Sequence, residues 1–135
     1  MTVPRNEYPR PQLVRKEWLC LNGEWQFEVD NAKSGMERGF YANDYTLNGK
    51  INVPFCPESR LSGIGNRDFI ASVWYKRAVD IPAEWRGKRI ILHFGAVDYH
   101  AIVFVNGTRV CEHRGGYTPF SADITESLTW DGDMI

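Results

Sequence analysis

An excess of either charge is the first thing this chain lacks. Sixteen Lys and Arg stand against 17 Asp and Glu, giving a formal net charge of -1 and a sequence pI near 6.3. No basic field exists to hold phosphates or an anionic bilayer surface, so neither nucleic acid nor membrane is an expected partner. No apolar run approaches the roughly 18 residues that a membrane-spanning helix needs. The opening M-T-V-P-R-N-E-Y-P-R carries no hydrophobic signal core. A cytoplasmic location, or a piece processed from a longer chain, is the expectation. Cysteine is sparse as well: Cys20, Cys56 and Cys111 are odd in number, far apart and without a C-x-x-C pair. That pattern argues against a disulfide framework or a zinc knuckle, and free, mostly buried thiols are expected.

Catalytic signatures are missing too. There is no G-x-S-x-G and no H-E-x-x-H. Gly63-Ile64-Gly65 has no strand feeding it and no helix leaving it, so it reads as a loop and no cofactor is expected. Asp98 and His100 share a strand face, with His113 on the return arm, but cross-strand pairing accounts for such residues better than a metal does, and no metal site is assigned. Glu58 and Asp68 fall on one loop, whereas the two carboxylates of a glycosidase stand about 5 to 9.5 Å apart on rigid supports. No catalytic residue is assigned.

What is present is β pattern. A chain of 135 residues forms one domain of ordinary size. Its strongest stretch runs Val97 to Val105, a β-branched and aromatic run, into Asn106-Gly107, two residues that tolerate the positive φ of a type I′ turn. Thr108 to His113 is the predicted return arm. Ala101, Val103 and Val105 take one face and Ile102 and Phe104 the other, so both faces are expected to be covered. Further strands are predicted over Glu24 to Asp30, Ile51 to Phe55, Ser72 to Ile81 and Lys88 to Phe94. In the first, Trp25, Phe27 and Val29 point inward while Glu24, Gln26, Glu28 and Asp30 meet water. Residues 31–50 form a long connection tacked down by aromatics, with room for a short helical turn from Lys33 to Tyr41, and Pro82 to Arg86 makes one further turn. Residues 1–12 read as an extended lead-in and 13–135 as the domain. Asp131-Gly132-Asp133 announces a strand that Met134-Ile135 only begins. A C-terminal truncation is therefore expected, its open edge to be capped by a symmetry mate, a swapped segment or the N-terminal arm.

L-N-G-E-W-Q-F at Leu21 to Phe27, V-W-Y-K-R at Val73 to Arg77, and V-F-V-N-G with H-R-G-G-Y-T-P-F from Val103 to Phe120 together resemble the N-terminal domain of family 2 glycoside hydrolases. The last run is most similar to the β-glucuronidase and related β-galactosidase branches. The resemblance implies an all-β jelly-roll β-sandwich of the galactose-binding-like type, followed in whole enzymes by an immunoglobulin-like domain and a TIM barrel that holds both catalytic glutamates. It implies an accessory role, shaping the active-site rim and packing against the remaining domains of the parent chain, with homo-oligomer contacts expected and carbohydrate met through the parent enzyme. In some β-galactosidases the loop after a Val-Pro pair contributes to the substrate site, commonly through an Asn. Here Val53-Pro54 is followed by Phe55-Cys56-Pro57-Glu58, so Cys56 and Glu58 are the candidate substrate-binding residues. The alternatives are an autonomous carbohydrate-binding module, with Trp85 among its stacking rings, and a purely structural interaction domain.

Overall fold

The computed structural model describes residues 17–57, 59–65, 72–95, 97, 99–116 and 118–135. Among them every regular element is a strand or a single 3-10 turn, so the chain is all-β. It divides into two compact units, one holding the described residues through Ser34 with Leu47–Lys76, the other Gly35–Thr46 with Arg77–Ile135.

The first unit is a three-stranded antiparallel sheet in which β1 (Gly23–Val29) lies between β2 (Gly49–Val53) and β3 (Val73–Lys76). Period-two alternation puts Trp25 opposite Ile51 and Phe27 opposite Tyr75. Trp25, Phe27 and Ile51 are buried, and the Phe27 and Tyr75 rings lie 5.4 Å apart. The other side of β1 departs from the expected pattern. Glu28 and Asp30 are buried while Val29 is exposed. The cause lies in the connection that follows, whose backbone donors have no ladder partners and so need acceptors. Gln26 Oε1 accepts the Leu47 N–H at 2.9 Å and Glu28 Oε1 the Asn48 N–H at 3.1 Å. Asp30 accepts from the Ser34 N–H at 2.9 Å and from Trp74 Nε1 at 3.2 Å. Glu28 and Asp30 are buried as acceptors, with Gln26 half-buried, which a hydropathy pattern does not register.

In the second unit β4 (Ala78–Val79) pairs with β9 (Asp133–Met134), β5 (Ile91–Phe94) with β8 (Phe120–Asp123), and β6 (His100–Val105) with β7 (Thr108–Arg114). The predicted reversal is found: Val105 faces Thr108, and Asn106 and Gly107 hold φ of 51° and 79°. Gly107→Ala should therefore cost about 1 kcal/mol, read from the urea midpoint, because a Cβ is strained at that φ. The register jumps from Val103–Cys111 to Phe104–Arg109, so Val110 is the extra residue of a bulge.

Cover on both faces of β6 is only partly realised. Val103 and Val105 are buried, and Phe104 stacks on Tyr41 at 5.0 Å, but Ile102 is 38% exposed. Phe40, in the same connecting segment as Tyr41, is fully buried and stacks on Tyr45 at 4.5 Å, so aromatics do tack the connection down. The helical turn expected from Lys33 to Tyr41 is absent. Gly35 and Gly39 resist helix, and isolated turns close instead, one wide with the Phe40 N–H on Gly35 O at 3.0 Å and others tight, such as the Ala42 N–H on Gly39 O at 3.0 Å. The turn expected after Pro82 is the 3-10 turn Ala83–Trp85.

The edge after Asp133, for which a symmetry mate, a swapped segment or the N-terminal arm is the expected cap, is paired within the second unit. On one side the Arg77 N–H donates to Ile135 O at 2.8 Å and the Ile135 N–H to Arg77 O at 3.0 Å. On the other, Met134 O accepts the Asn106 N–H at 2.8 Å and the Met134 N–H donates to Asn106 Oδ1 at 2.9 Å. An asparagine in a turn completes the pairing that a neighbouring strand would supply. The lead-in, residues 1–12, lies outside the described residues.

Candidate functional site

β2 ends at Val53, and the Val53-Pro54 bond is cis. The loop that follows is wound on itself. Phe55 N–H donates to Asn52 O at 3.0 Å, and Cys56 O accepts the Ser59 N–H at 2.9 Å, which leads into the 3-10 turn Arg60–Ser62. Ser59 Oγ caps that turn by accepting the Leu61 N–H at 3.1 Å, the usual role of an N-cap hydroxyl. Ser62 is buried, donates its hydroxyl to Ser59 O at 2.7 Å and accepts the Ile64 N–H at 3.0 Å. The loop thus presents Cys56 and the strongly exposed Leu61 outward from a hydrogen-bonded base. Glu58, like Arg67 and Asp68, lies outside the described residues.

The thiols are not mostly buried as expected. Cys56 is exposed, and Cys20 and Cys111 are half-buried; all three are free. Cys56 sits on a loop turn rather than in a sheet, and Cys111 on a two-stranded ribbon. Partial burial pushes the Cys111 thiol up in pKa, with Arg109 opposing.

The histidines do not converge. His100 lies opposite Arg114 and His113 opposite Ala101, so neighbouring register positions send them to opposite faces. His113 stacks on Phe120 at 4.3 Å, and Phe120 on Phe94 at 4.6 Å. His100 Nε2 meets Glu112 Oε1 at 2.6 Å, Arg109 also bonds Glu112, and Arg114 stands 3.6 Å from it. His100's hydrogen bond is the main cause that holds the Glu112 carboxyl below its usual range; slight desolvation opposes it and Arg109 adds to it. This is a solvated ion network. The cross-strand pairing expected of His100 is found with Glu112; the sequence did not show that the bulge at Val110 lets Arg109 reach the same carboxylate. Asp98 lies outside the described residues. Among the described residues no three His, Cys, Asp or Glu gather as a metal-binding group.

A polar groove of about 590 Å³ is lined by Arg89, Arg109, Asp123, Thr125 and Ser127, with Val110 and Glu126. Asp123 Oδ1 accepts from Thr125 Oγ1 at 2.6 Å and from its N–H at 3.0 Å, and Oδ2 takes Arg89 at 2.6 Å. The Thr125 hydroxyl and amide, then Arg89, hold this carboxyl at about 2. A carboxyl depressed in the folded state stabilises above its unfolded value, near 3.9, and loses that contribution as pH falls through the folded value. The difference in thermal midpoint between the parent chain and Asp123→Asn should thus be constant above about pH 5 and close between about pH 4 and 2.

Trp85 and Trp130 are both half-buried, and the Arg86 guanidinium stands 5.8 Å from the Trp130 ring centre.

Among known families, the model for the glycosyl hydrolases family 2 sugar binding domain matches residues 19–134. A β-glucuronidase of Felis catus is 38% identical over 132 aligned residues, covering 88% of this chain and 20% of that protein. One of Paenibacillus borealis is 35% identical over 118, covering 87% and 20%. The chain therefore spans about a fifth of the length of the curated relatives it matches. Among solved structures, Lactobacillus rhamnosus β-glucuronidase superposes with a TM-score of 0.74 at 32% identity, over 84% of this chain and 19% of that one. The expected all-β sandwich is the fold the chain shares with it.

Proposed function

The chain belongs to the sugar-binding domain of the family 2 glycosyl hydrolases, and from that premise we propose that it serves as the N-terminal accessory domain of a longer enzyme that cleaves terminal β-glycosides. One observation carries the reading most directly: a family match over nearly the whole chain combined with coverage of only a fifth of each relative. Four of its described carboxylates are engaged in ways that fit a role outside the chemistry. Asp30 and Asp133 are buried as hydrogen-bond acceptors, and Glu112 and Asp123 are engaged with arginines at the surface. None of these is poised as a general acid or nucleophile opposite a second carboxylate.

The β-glucuronidases among the relatives favour a β-glucuronide over a β-galactoside as the substrate of the parent enzyme. We place Cys56 and Glu58 on the rim of its substrate entrance, on the loop braced by Ser59 and Ser62, and its setting in the cytoplasm. In the longer polypeptide kcat/KM for a β-glucuronide should exceed that for a β-galactoside by about tenfold or more, since a site built for a carboxylate leaves a buried polar group unpaired with the neutral sugar. Glu58→Gln there should raise KM with kcat little changed, the signature of lost uniform binding. Equal rates on both sugars would overturn the substrate, and an unchanged KM would remove Glu58 from the rim.

A further inference from the structure

Asn-Gly occurs three times, at Asn22-Gly23, Asn48-Gly49 and Asn106-Gly107. In such a pair no side chain on the glycine hinders its backbone nitrogen from approaching the asparagine carboxamide, the contact that starts deamidation. Asn106 is set apart by what its carboxamide does. Nδ2 donates to Ser127 O at 2.8 Å and to Asp133 Oδ1 at 2.7 Å, while Oδ1 accepts from Met134 N at 2.9 Å and Asn43 Nδ2 at 3.2 Å. Both amide protons and both lone pairs are thereby engaged. Departure of the nitrogen would break both donated bonds, and the carbonyl is tied to the strand it holds.

We propose that Asn106 is a conditional deamidation site: shielded while β9 is docked, reactive when β9 opens, and after reaction unable to take β9 back. The chemistry needs only water. The Gly107 nitrogen bonds to Asn106 Cγ and gives up its proton, the Cγ–Nδ2 bond breaks, and ammonia leaves, closing a succinimide ring. Water then adds at one of the two ring carbonyls and reopens the ring to aspartate or isoaspartate, with no change of oxidation state. The product has no donor for Ser127 O or Asp133. It also sets a carboxylate within hydrogen-bond distance of the buried Asp133 carboxylate, an arrangement that like charges oppose. A strand of only two residues is the kind of element that opens locally without global unfolding. The reaction turns that reversible opening into a permanent one.

The test uses the 135-residue chain held at mildly alkaline pH, in native buffer and in concentrated urea. Trypsin releases the peptide from Ile90 to Arg109, and mass spectrometry follows its exchange of NH for O. In native buffer Asn106 should react at least about tenfold more slowly than in urea. Over a temperature series its rate should follow hydrogen exchange at the Met134 amide, and Asp133→Ala should remove most of the protection. Chains already converted at position 106 should show a Met134 amide that exchanges freely. Equal rates in buffer and urea, or converted chains whose Met134 amide stays protected, would overturn the proposal, and both readings come from the unmutated sequence.

Discussion

Replacing Asp133 by Ala should destabilise the chain by about 3 kcal/mol, measured by urea unfolding, because it strands several buried donors at once. Asp133 is 1% exposed, yet it is a carboxylate. Its Oδ1 accepts from the Thr129 N–H at 2.6 Å, the Thr129 hydroxyl at 2.9 Å and Asn106 Nδ2 at 2.7 Å, and Oδ2 accepts from the Trp130 N–H at 3.2 Å. Burial on its own pushes the carboxyl up, but these bonds outweigh it and hold the group below its usual value. The contribution is therefore present above the ordinary carboxylate range and is lost as pH falls through the depressed folded value. Trp130 sits at φ 64°, a conformation a bulky residue seldom adopts, and the bond from its amide to Asp133 helps hold it there. Asp133→Asn keeps the shape but turns an N–H toward donors. It should lose a sizeable part of the same stability, and that loss should shrink toward acid pH.

Phe40→Ala should cost about 4 kcal/mol by the same measurement, the range expected for emptying a fully buried aromatic site. Phe40 belongs to no strand. Its ring is inaccessible to solvent, stacked on Tyr45 at 4.5 Å and 22°, with the Arg38 guanidinium 4.6 Å from its centre. Tyr41, the next residue, covers Phe104 of β6, so the connection and the central hairpin depend on one another. Phe40→Leu, which retains most of the apolar volume, should recover more than half of the loss.

The hairpin was legible because its signal is local. Asn106-Gly107 satisfies a φ requirement that few residue pairs meet, and alternation in Trp25 and Phe27 marks the inner face of β1 without any tertiary information. The failures share a different cause. Glu28, Asp30 and Asp133 were read as solvent-facing or as turn residues because charge normally seeks water. They are buried as acceptors: Glu28 for the Asn48 N–H, Asp30 for the Ser34 N–H and the Trp74 indole, and Asp133 for the Thr129 and Trp130 amides, which composition cannot reveal. The partner of β9 was hidden for a related reason, since one of the groups that pairs it is a side chain on the hairpin turn. The family was carried by ordered motifs from Leu21 to Phe120, and those motifs are strand and turn sequence more than site chemistry. The proposal that Cys56 and Glu58 line the rim therefore rests on their place in the sequence after Val53-Pro54.

The claim that this chain is an accessory domain without catalysis of its own is tested most directly by hydrolysis of nitrophenyl β-glucuronide. The purified 135-residue chain is assayed beside a longer polypeptide that contains it. The account predicts turnover by the longer polypeptide and none above background by the chain alone. Turnover by the chain alone that persists through purification would contradict it, and would mean that an acid pair lies within these residues.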